Sequence, residues 1–286
     1  MGGELDVNDV LQKNIPNETL KELDNLREAI KRFRVDRDYK VDLKTTGNTV
    51  RFGVVSDLHA GSLYERFDAL SAFYDKLRSE NIKLVLMPGD ILDGHGIYKG
   101  QVFEQYAHGL DKQIETLKKN HPSTEGMRVI FITGNHDNSF YKLTGTDPGP
   151  IIAAAMSWEC AGRDVAHVEL ETEDKYKLTV GLYHPRGGTA YAISWKTQKI
   201  IESIPGGKKP NIALIGHYHK MDALPRYRNV YGVQPGTFQG QTPFMASVPT
   251  DAHVGGCIVE VVLGNKKHLT SSVKIEFVSF YEPEDK

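Results

Sequence analysis

From residue 50 onward the chain alternates between short apolar runs and amphipathic stretches. Phe52 to Val55, Leu84 to Met87 and Val129 to Ile132 are continuous apolar runs of strand length. Between them, Asp68 to Leu77 carries Leu70, Phe73 and Leu77, and Val102 to Leu117 carries Phe103, Tyr106, Leu110, Ile114 and Leu117, both at helical spacing. Buried strands alternating with one-sided helices predict βαβ units and a largely parallel sheet covered on both faces. After residue 150 the texture changes. A compact apolar helix is expected at Ile151 to Met156, and another helix at about Thr197 to Ile204. The rest is runs of β-formers: Val165 to Leu170, Leu178 to Tyr183, Ile212 to Ile215, Val230 to Val233, Ile258 to Leu263 and Val273 to Tyr281. The last two, joined through Gly264-Asn265, read as a hairpin. The second half therefore predicts a second sheet facing the first.

Residues 1–47 differ in texture from the rest of the chain. Asn17 can cap a helix whose stripe is Leu20, Leu23, Leu26, Ile30 and Phe33, with Lys31, Arg32 and Arg34 near its C-terminus, where they favour the helix dipole. A polar extended tract comes next, through Lys44-Thr45-Thr46-Gly47-Asn48. The division expected is an N-terminal helical appendage, 1–47, and a main domain, 48–286. The appendage's stripe would cap the main domain or pair with another copy.

A length of 286 residues, with 40% hydrophobic and 25% charged, suffices for a substantial core in a soluble globular protein. The formal charge of -2 gives no global pull toward nucleic acid or an acidic membrane surface, and leaves a local basic groove open. The cysteines, Cys160 and Cys257, are too widely spaced for a zinc knuckle and fit a reducing compartment. The N-terminus lacks the features of a secretory signal or a myristoylation motif, and no stretch approaches the ~18 apolar residues of a membrane span. The expectation is a cytoplasmic protein without membrane association.

The candidate chemistry follows the same punctuation. Each strand-like run of the first half ends in residues that bind metals. Phe52 to Val55 leads to Ser56-Asp57-Leu58-His59, Leu84 to Met87 leads to Gly89-Asp90-Ile91-Leu92-Asp93, and Val129 to Ile132 leads to Gly134-Asn135-His136-Asp137. In open α/β sheets ligands bind at the carboxyl ends of strands, so Asp57, His59, Asp90 and Asn135 should share one edge. In the second half, Leu178 to Tyr183 runs into His184, and Ile212 to Ile215 into Gly216-His217-Tyr218-His219. The two-residue spacings of Asp57/His59 and His217/His219 put each pair on one side of an extended segment. Three oxygen donors and four imidazoles exceed one tetrahedral site and suit two divalent ions sharing a carboxylate. Such donors point to Mn, Fe, Co, Ni or Zn rather than Ca. His136 is a residue that could move a proton, with Asp137 placed to hold it.

Taken together and in this order, the five blocks resemble the calcineurin-like metallophosphoesterase superfamily. The resemblance implies an α/β fold, a four-layer α/β/β/α sandwich with two facing mixed sheets and a dinuclear metal site at the strand ends. By position, Asp57, His59, Asp90 and His219 would bind one ion and Asp90, Asn135, His184 and His217 the other, with Mn expected first. His136 matches the catalytic histidine, protonated and oriented by Asp137, and Asp93 would stand behind the ligands. The activity implied is hydrolysis of a phosphate ester by a hydroxide that the two ions activate. A phosphodiesterase acting on a nucleotide or nucleic acid is preferred. A phosphomonoesterase or protein phosphatase is the alternative, and a catalytically silent metal-binding interaction module a further one. Tyr64, His95 and Arg186, in loops beside the motifs, are the candidate substrate contacts, Arg186 as a bidentate phosphate ligand. The segment Gln234 to Met245 is expected to wall the cleft.

Overall fold

The computed structural model describes residues 38–264 and 270–280. The helix expected around Leu20 to Phe33 lies outside the described residues. The first half is built as its periodicity predicts. Strands β2 (Thr49–Val54), β3 (Leu84–Met87), β4 (Arg128–Thr133) and β5 (Glu159–Arg163) run parallel. Helices α1 (Phe67–Ser79), α2 (Leu110–Asn120), α3 (Asn138–Thr144) and α4 (Pro148–Met156) connect them. Strand β11 (Gly255–Leu263) joins the far edge antiparallel to β2, and β12 (Thr270–Ser279) pairs with it as the expected hairpin.

The second sheet contains β6 (Val165–Glu171), β7 (Lys177–Tyr183), β8 (Ile212–Ile215), β9 (Met221–Tyr227) and β10 (Val230–Pro235), with α5 (Ile193–Ser203) preceding β8 and the short α6 (Pro243–Ser247) following β10. The two sheets are not separate. One hydrogen-bonded path runs from β12 to β9, and it turns at β5, which meets β6 through the single pair Arg163↔Val165.

Side-chain alternation assigns the faces. Val85 and Met87 of β3, and Val129 and Phe131 of β4, pack with Leu70, Phe73 and Leu77 of α1. Their neighbours Leu84, Leu86, Ile130 and Ile132 pack instead with Val180, Leu182, Ile212 and Leu214 of the second sheet. On the outer side of that sheet, Ala213 and Ile215 meet Ile201 of α5. Helices, sheet, sheet, helix: the folded-over path is the four-layer α/β/β/α sandwich. Each fully buried side chain of Phe52 or Leu86 size contributes roughly 1.5–3 kcal/mol to it.

Strands β5 and β9 and helix α3 have no counterpart in the sequence reading, and two further elements differ from it. Val102 to Leu117 is not one helix. A 3-10 turn spans Gln101–Glu104, and α2 starts only after Gly109, whose φ of +88° breaks the helix. The turn's inward face is polar, because the buried Gln101 and Gln105 amides bind Asp93. Phe103, counted as a helix core position, is 84% exposed. The second difference is β1 (Asp38–Asp42), which lies inside the tract assigned to the appendage and pairs parallel with β6. Among the described residues no helix is long and apolar enough to cross a membrane.

Candidate metal centre

Five loops converge at the carboxyl ends of β2, β3, β4, β7 and β8. Their backbone is not extended as the two-residue spacings suggest. Asp57, His59, Asp90, His217 and His219 all adopt left-handed φ, from +49° to +80°. That conformation costs non-glycine residues energy and clusters at functional sites. It turns each loop sharply off its strand, so the donors point back across the sheet ends. Gly134 is required for the same compactness: a Cβ there would sit 2.2 Å from an Asp90 carboxylate oxygen.

The donors form three overlapping groups among the described residues: Asp57 with His59 and His219, His59 with Asp90 and His136, and Asp90 with His184 and His217. His59 Nε2 and His219 Nε2 face each other at 3.1 Å, and lie 4.0 and 3.3 Å from Asp57 Oδ1. Two ring nitrogens in contact compete for one proton, whereas a cation between them satisfies both lone pairs. Across Asp90, His184 Nε2 lies 2.9 Å from Oδ2 and 3.2 Å from the Asn135 amide oxygen. The chain therefore brings all seven sequence-predicted donors together, and their chemistry fits two divalent ions.

The far ring nitrogens fix the tautomers. His59 Nδ1 is 3.2 Å from Asp93, and His184 Nδ1 donates to the Pro88 carbonyl at 2.7 Å, which leaves each Nε2 as the inward donor atom. His217 Nε2 donates to the Gly187 carbonyl at 2.8 Å, so its Nδ1 carries the free lone pair.

Electrostatics agree with a site shaped for positive charge. Burial alone pushes the Asp57 and Asp90 carboxyls up. The imidazoles overcome it, His219 at Asp57 and His184 with His136 at Asp90, and hold both below the usual carboxylate range. Burial works against a charge on His184, but Asp90 outweighs it and raises the imidazole to about 10. Burial, and then the His184 charge, push His217 down to about 4. Protons here hold the place that metal charge would take.

His136 and Asp137 do not act as a pair. The His136 Nδ1–H donates to the Asp93 carbonyl at 2.6 Å, so Asp93, not Asp137, orients the ring. The fully buried Asp137 carboxylate accepts instead from the backbone N–H groups of Ile91, Leu92 and Gly134 at 3.2, 2.8 and 2.8 Å. It is a clamp between the β3 and β4 loops. Burial, followed by the Asp90 charge, raises it to about 7 against those three donors. Burial, against the opposing pull of the Asp90 charge, holds the His136 imidazole below the usual histidine range.

Asp93 is a larger hub than the sequence suggests. Its side chain takes hydrogen bonds from Gln101, Gln105 and Gln239 at 3.2, 2.5 and 3.3 Å while facing His59. Those glutamines carry no motif. The only signal for Gln101 and Gln105 is their placement opposite the apolar stripe after Val102. His253 is no ligand, since its Nδ1 accepts from the Met221 N–H at 3.0 Å and its Nε2 faces Asp251.

Two adjoining cavities, of about 510 and about 500 Å³, open over the cluster and share Ile97, Asn135, Gly187 and His217. His95 and Arg186 line the first. Tyr64 lines neither. Its backbone carbonyl instead receives the Gly240 N–H at 2.8 Å, which holds the loop after β10. That loop walls the second cavity with Gln239, Phe244 and Met245.

The model of the family described as calcineurin-like phosphoesterase matches residues 50–221, a span that contains all five loops. The DNA polymerase II small subunit of Halobacterium salinarum is 33% identical over 245 residues, covering 71% of this chain and 46% of that protein. The protein of the same name from Pyrococcus abyssi is 27% identical over 246 residues, covering 70% and 39%. The chain thus spans less than half the length of these two relatives. Among solved structures, a Vps29 mutant from Entamoeba histolytica aligns with a TM-score of 0.41 at 16% identity, covering 81% of this chain and 100% of that one.

Proposed function

The chain belongs to the calcineurin-like phosphoesterase family, and from that premise we propose that it is a metal-dependent phosphodiesterase acting on nucleic acid. The observation that carries the proposal is the convergence of seven donors, Asp90 at their centre, with His136 beside them and its Nδ1 tied to the Asp93 carbonyl. Asp57, His59, Asp90 and His219 would hold one ion and Asp90, Asn135, His184 and His217 the other, with Mn as the first candidate. When bound, two such ions lower the pKa of a water and neutralise phosphoryl charge.

The chain's own residues then have separable tasks. Asn135 supplies an oxygen without adding negative charge, which leaves its ion more electrophilic than a third carboxylate would. Asp93 fixes His59 through its carboxylate and His136 through its carbonyl. With Nδ1 tied to the Asp93 carbonyl, His136 Nε2 is the proton-exchanging atom: it takes the proton released by the attacking water and delivers it to the leaving oxygen. Such transfer is typically worth 10²–10⁴-fold. The preference for nucleic acid is supported by the relatives named as DNA polymerase subunits.

A second reading, a subunit that works by docking, is favoured by one surface. Leu63, Val102 and Phe103 are exposed on adjoining turns, tied by the Leu63 N–H to the Glu104 carbonyl at 2.8 Å. Hydrolysis separates the readings. With Mn added, a nuclease cleaves an aryl phosphodiester and DNA or RNA and spares an aryl phosphomonoester. A phosphomonoesterase reverses that preference. Two bound ions with no turnover of any of these would leave the docking subunit.

A further inference from the structure

The two cavities over the cluster differ in chemistry. The first is cationic: His95, Lys142 and Arg186 line it, and among the described residues no carboxylate does. Its two strong cations stand on separate elements that share one anchor. Arg186 Nη2 reaches Asp164 at 3.6 Å, and Asn138, at the start of the helix that carries Lys142, donates to the same carboxylate at 3.0 Å. The Arg186 side chain remains 63% exposed. The second cavity is apolar and aromatic. Tyr98 and Phe244 stack with ring centroids 4.2 Å apart and planes 16° from parallel, beside Ile97, Met245 and Val248. Glu104 holds the Tyr98 hydroxyl at 2.7 Å, so Tyr98 is the fixed inner plate and Phe244, 41% exposed, the outer one. Asn135 and His217 belong to both cavities, so the metal centre lies where the aromatic side meets the cationic side.

From this arrangement we infer that the groove reads one unpaired nucleotide: a base laid on the Tyr98–Phe244 stack, the cleaved phosphate at the metal centre, and the next phosphate between Lys142 and Arg186. The inference rests on the phosphodiesterase reading and names its substrate as single-stranded nucleic acid. A flat aromatic platform binds any base through its π-face, and a base inside a duplex has both faces covered by its neighbours. Each cavity is within the ~300–1,000 Å³ of ordinary ligand pockets, room for a nucleotide unit. Exposed cations spaced along the backbone path add affinity that salt weakens.

The test uses short labelled strands whose binding is read by fluorescence anisotropy on Mn-loaded His136→Ala protein, and whose cleavage is read on the wild type. A strand with an abasic residue beside the scissile phosphate should bind roughly 10- to 100-fold more weakly than its base-bearing counterpart. Adding Phe244→Ala should abolish that difference, and Phe244→Trp should restore it. A methylphosphonate at the neighbouring phosphate should weaken binding, and Lys142→Ala with Arg186→Ala should remove that sensitivity and flatten the salt dependence. A duplex should bind more weakly than either of its strands. Equal binding of base-bearing and abasic strands, or a preference that survives Phe244→Ala, overturns the inference while cleavage by the wild type leaves the phosphodiesterase reading standing. Selective binding without wild-type cleavage does the reverse.

Discussion

The loops after β2, β3 and β4 are held to one another by backbone, whereas the loops after β7 and β8 are held to them largely by the ligands themselves. In the first group, the Asp57, Leu58 and Ala60 N–H groups donate to the Gly89, Asp90 and Ile91 carbonyls at 3.1, 2.8 and 3.0 Å, and Asp137 clamps three further N–H groups. In the second, the His217 N–H leans on the Asp57 carboxylate at 3.0 Å, and His184 spans from the Pro88 carbonyl to Asp90. The oxygen donors are thus built in place by the fold. The imidazoles of the second sheet are positioned by carboxylates whose charge a metal would share. Half of the centre is scaffold, and half closes onto it.

That contrast can be broken at several points. The largest effect is expected at Asp90, the donor common to both proposed ion sites. Asp90→Ala should lose both ions by elemental analysis and at least about 10⁴-fold in kcat, and retention of two ions would remove its shared role. Next is His136→Ala, expected to keep both ions and lose about 10²–10⁴-fold in kcat; full activity would take the proton transfer elsewhere. Asp137→Ala should act on the scaffold and not on the proton. Three buried N–H groups would lose their partner, at about 1–3 kcal/mol each before relaxation, so denaturant unfolding should show a loss of about 3–5 kcal/mol. If instead stability were unchanged and only kcat fell, Asp137 would belong with the chemistry.

The closing half should reveal itself through pH. His184, raised to about 10, is protonated at neutral pH, and an ion must displace that proton. Metal affinity should therefore increase with pH by about tenfold per unit through the neutral range, measured by Mn titration; a flat profile would mean His184 is not a ligand. The smallest effect is expected at the corner joining the sheets. There Arg128 holds Glu159 through contacts of 2.5 and 2.8 Å, and Tyr39 donates to the same carboxylate. The Arg128 hydrogen bond holds Glu159 below its usual 4.5. Its stabilisation is present above 4.5 and is lost as pH falls through the lower folded value. With both side chains about a third exposed, Glu159→Gln should cost no more than about 1 kcal/mol at pH 7 and nothing in strong acid.

The legibility of the chain obeys the same division. Strands β3 and β8 are uninterrupted apolar runs and β2, β4 and β7 contain shorter ones, each ending in residues of donor type; two facing sheets and the seven candidate donors can be read from that rule, whereas the four-layer order comes from the family resemblance. The corner strand β5 is hidden because Glu159-Cys160-Ala161-Gly162-Arg163 has no apolar run and is held by the Arg128–Glu159 pair. Strand β1 is hidden for a like reason: of its side chains from Tyr39 to Asp42, Val41 alone is buried. Asp137 misleads because adjacency in sequence suggests contact with His136. The turn that starts α3 instead sends the two side chains apart, one to backbone and one to the cavity. Tyr64 misleads because a loop beside a motif can serve another loop. The stack of Tyr98 on Phe244 joins segments far apart in the chain, and no spacing rule could have paired them.

The central claim is that the five loops make a metal-dependent phosphodiesterase centre. The most direct measurement is cleavage of a single-stranded oligonucleotide by chelator-stripped protein as Mn is titrated back. The account predicts no cleavage in the stripped protein and a return of activity that saturates when two ions are bound per chain. Two bound ions with no diester cleaved, or cleavage undiminished by stripping, would contradict it.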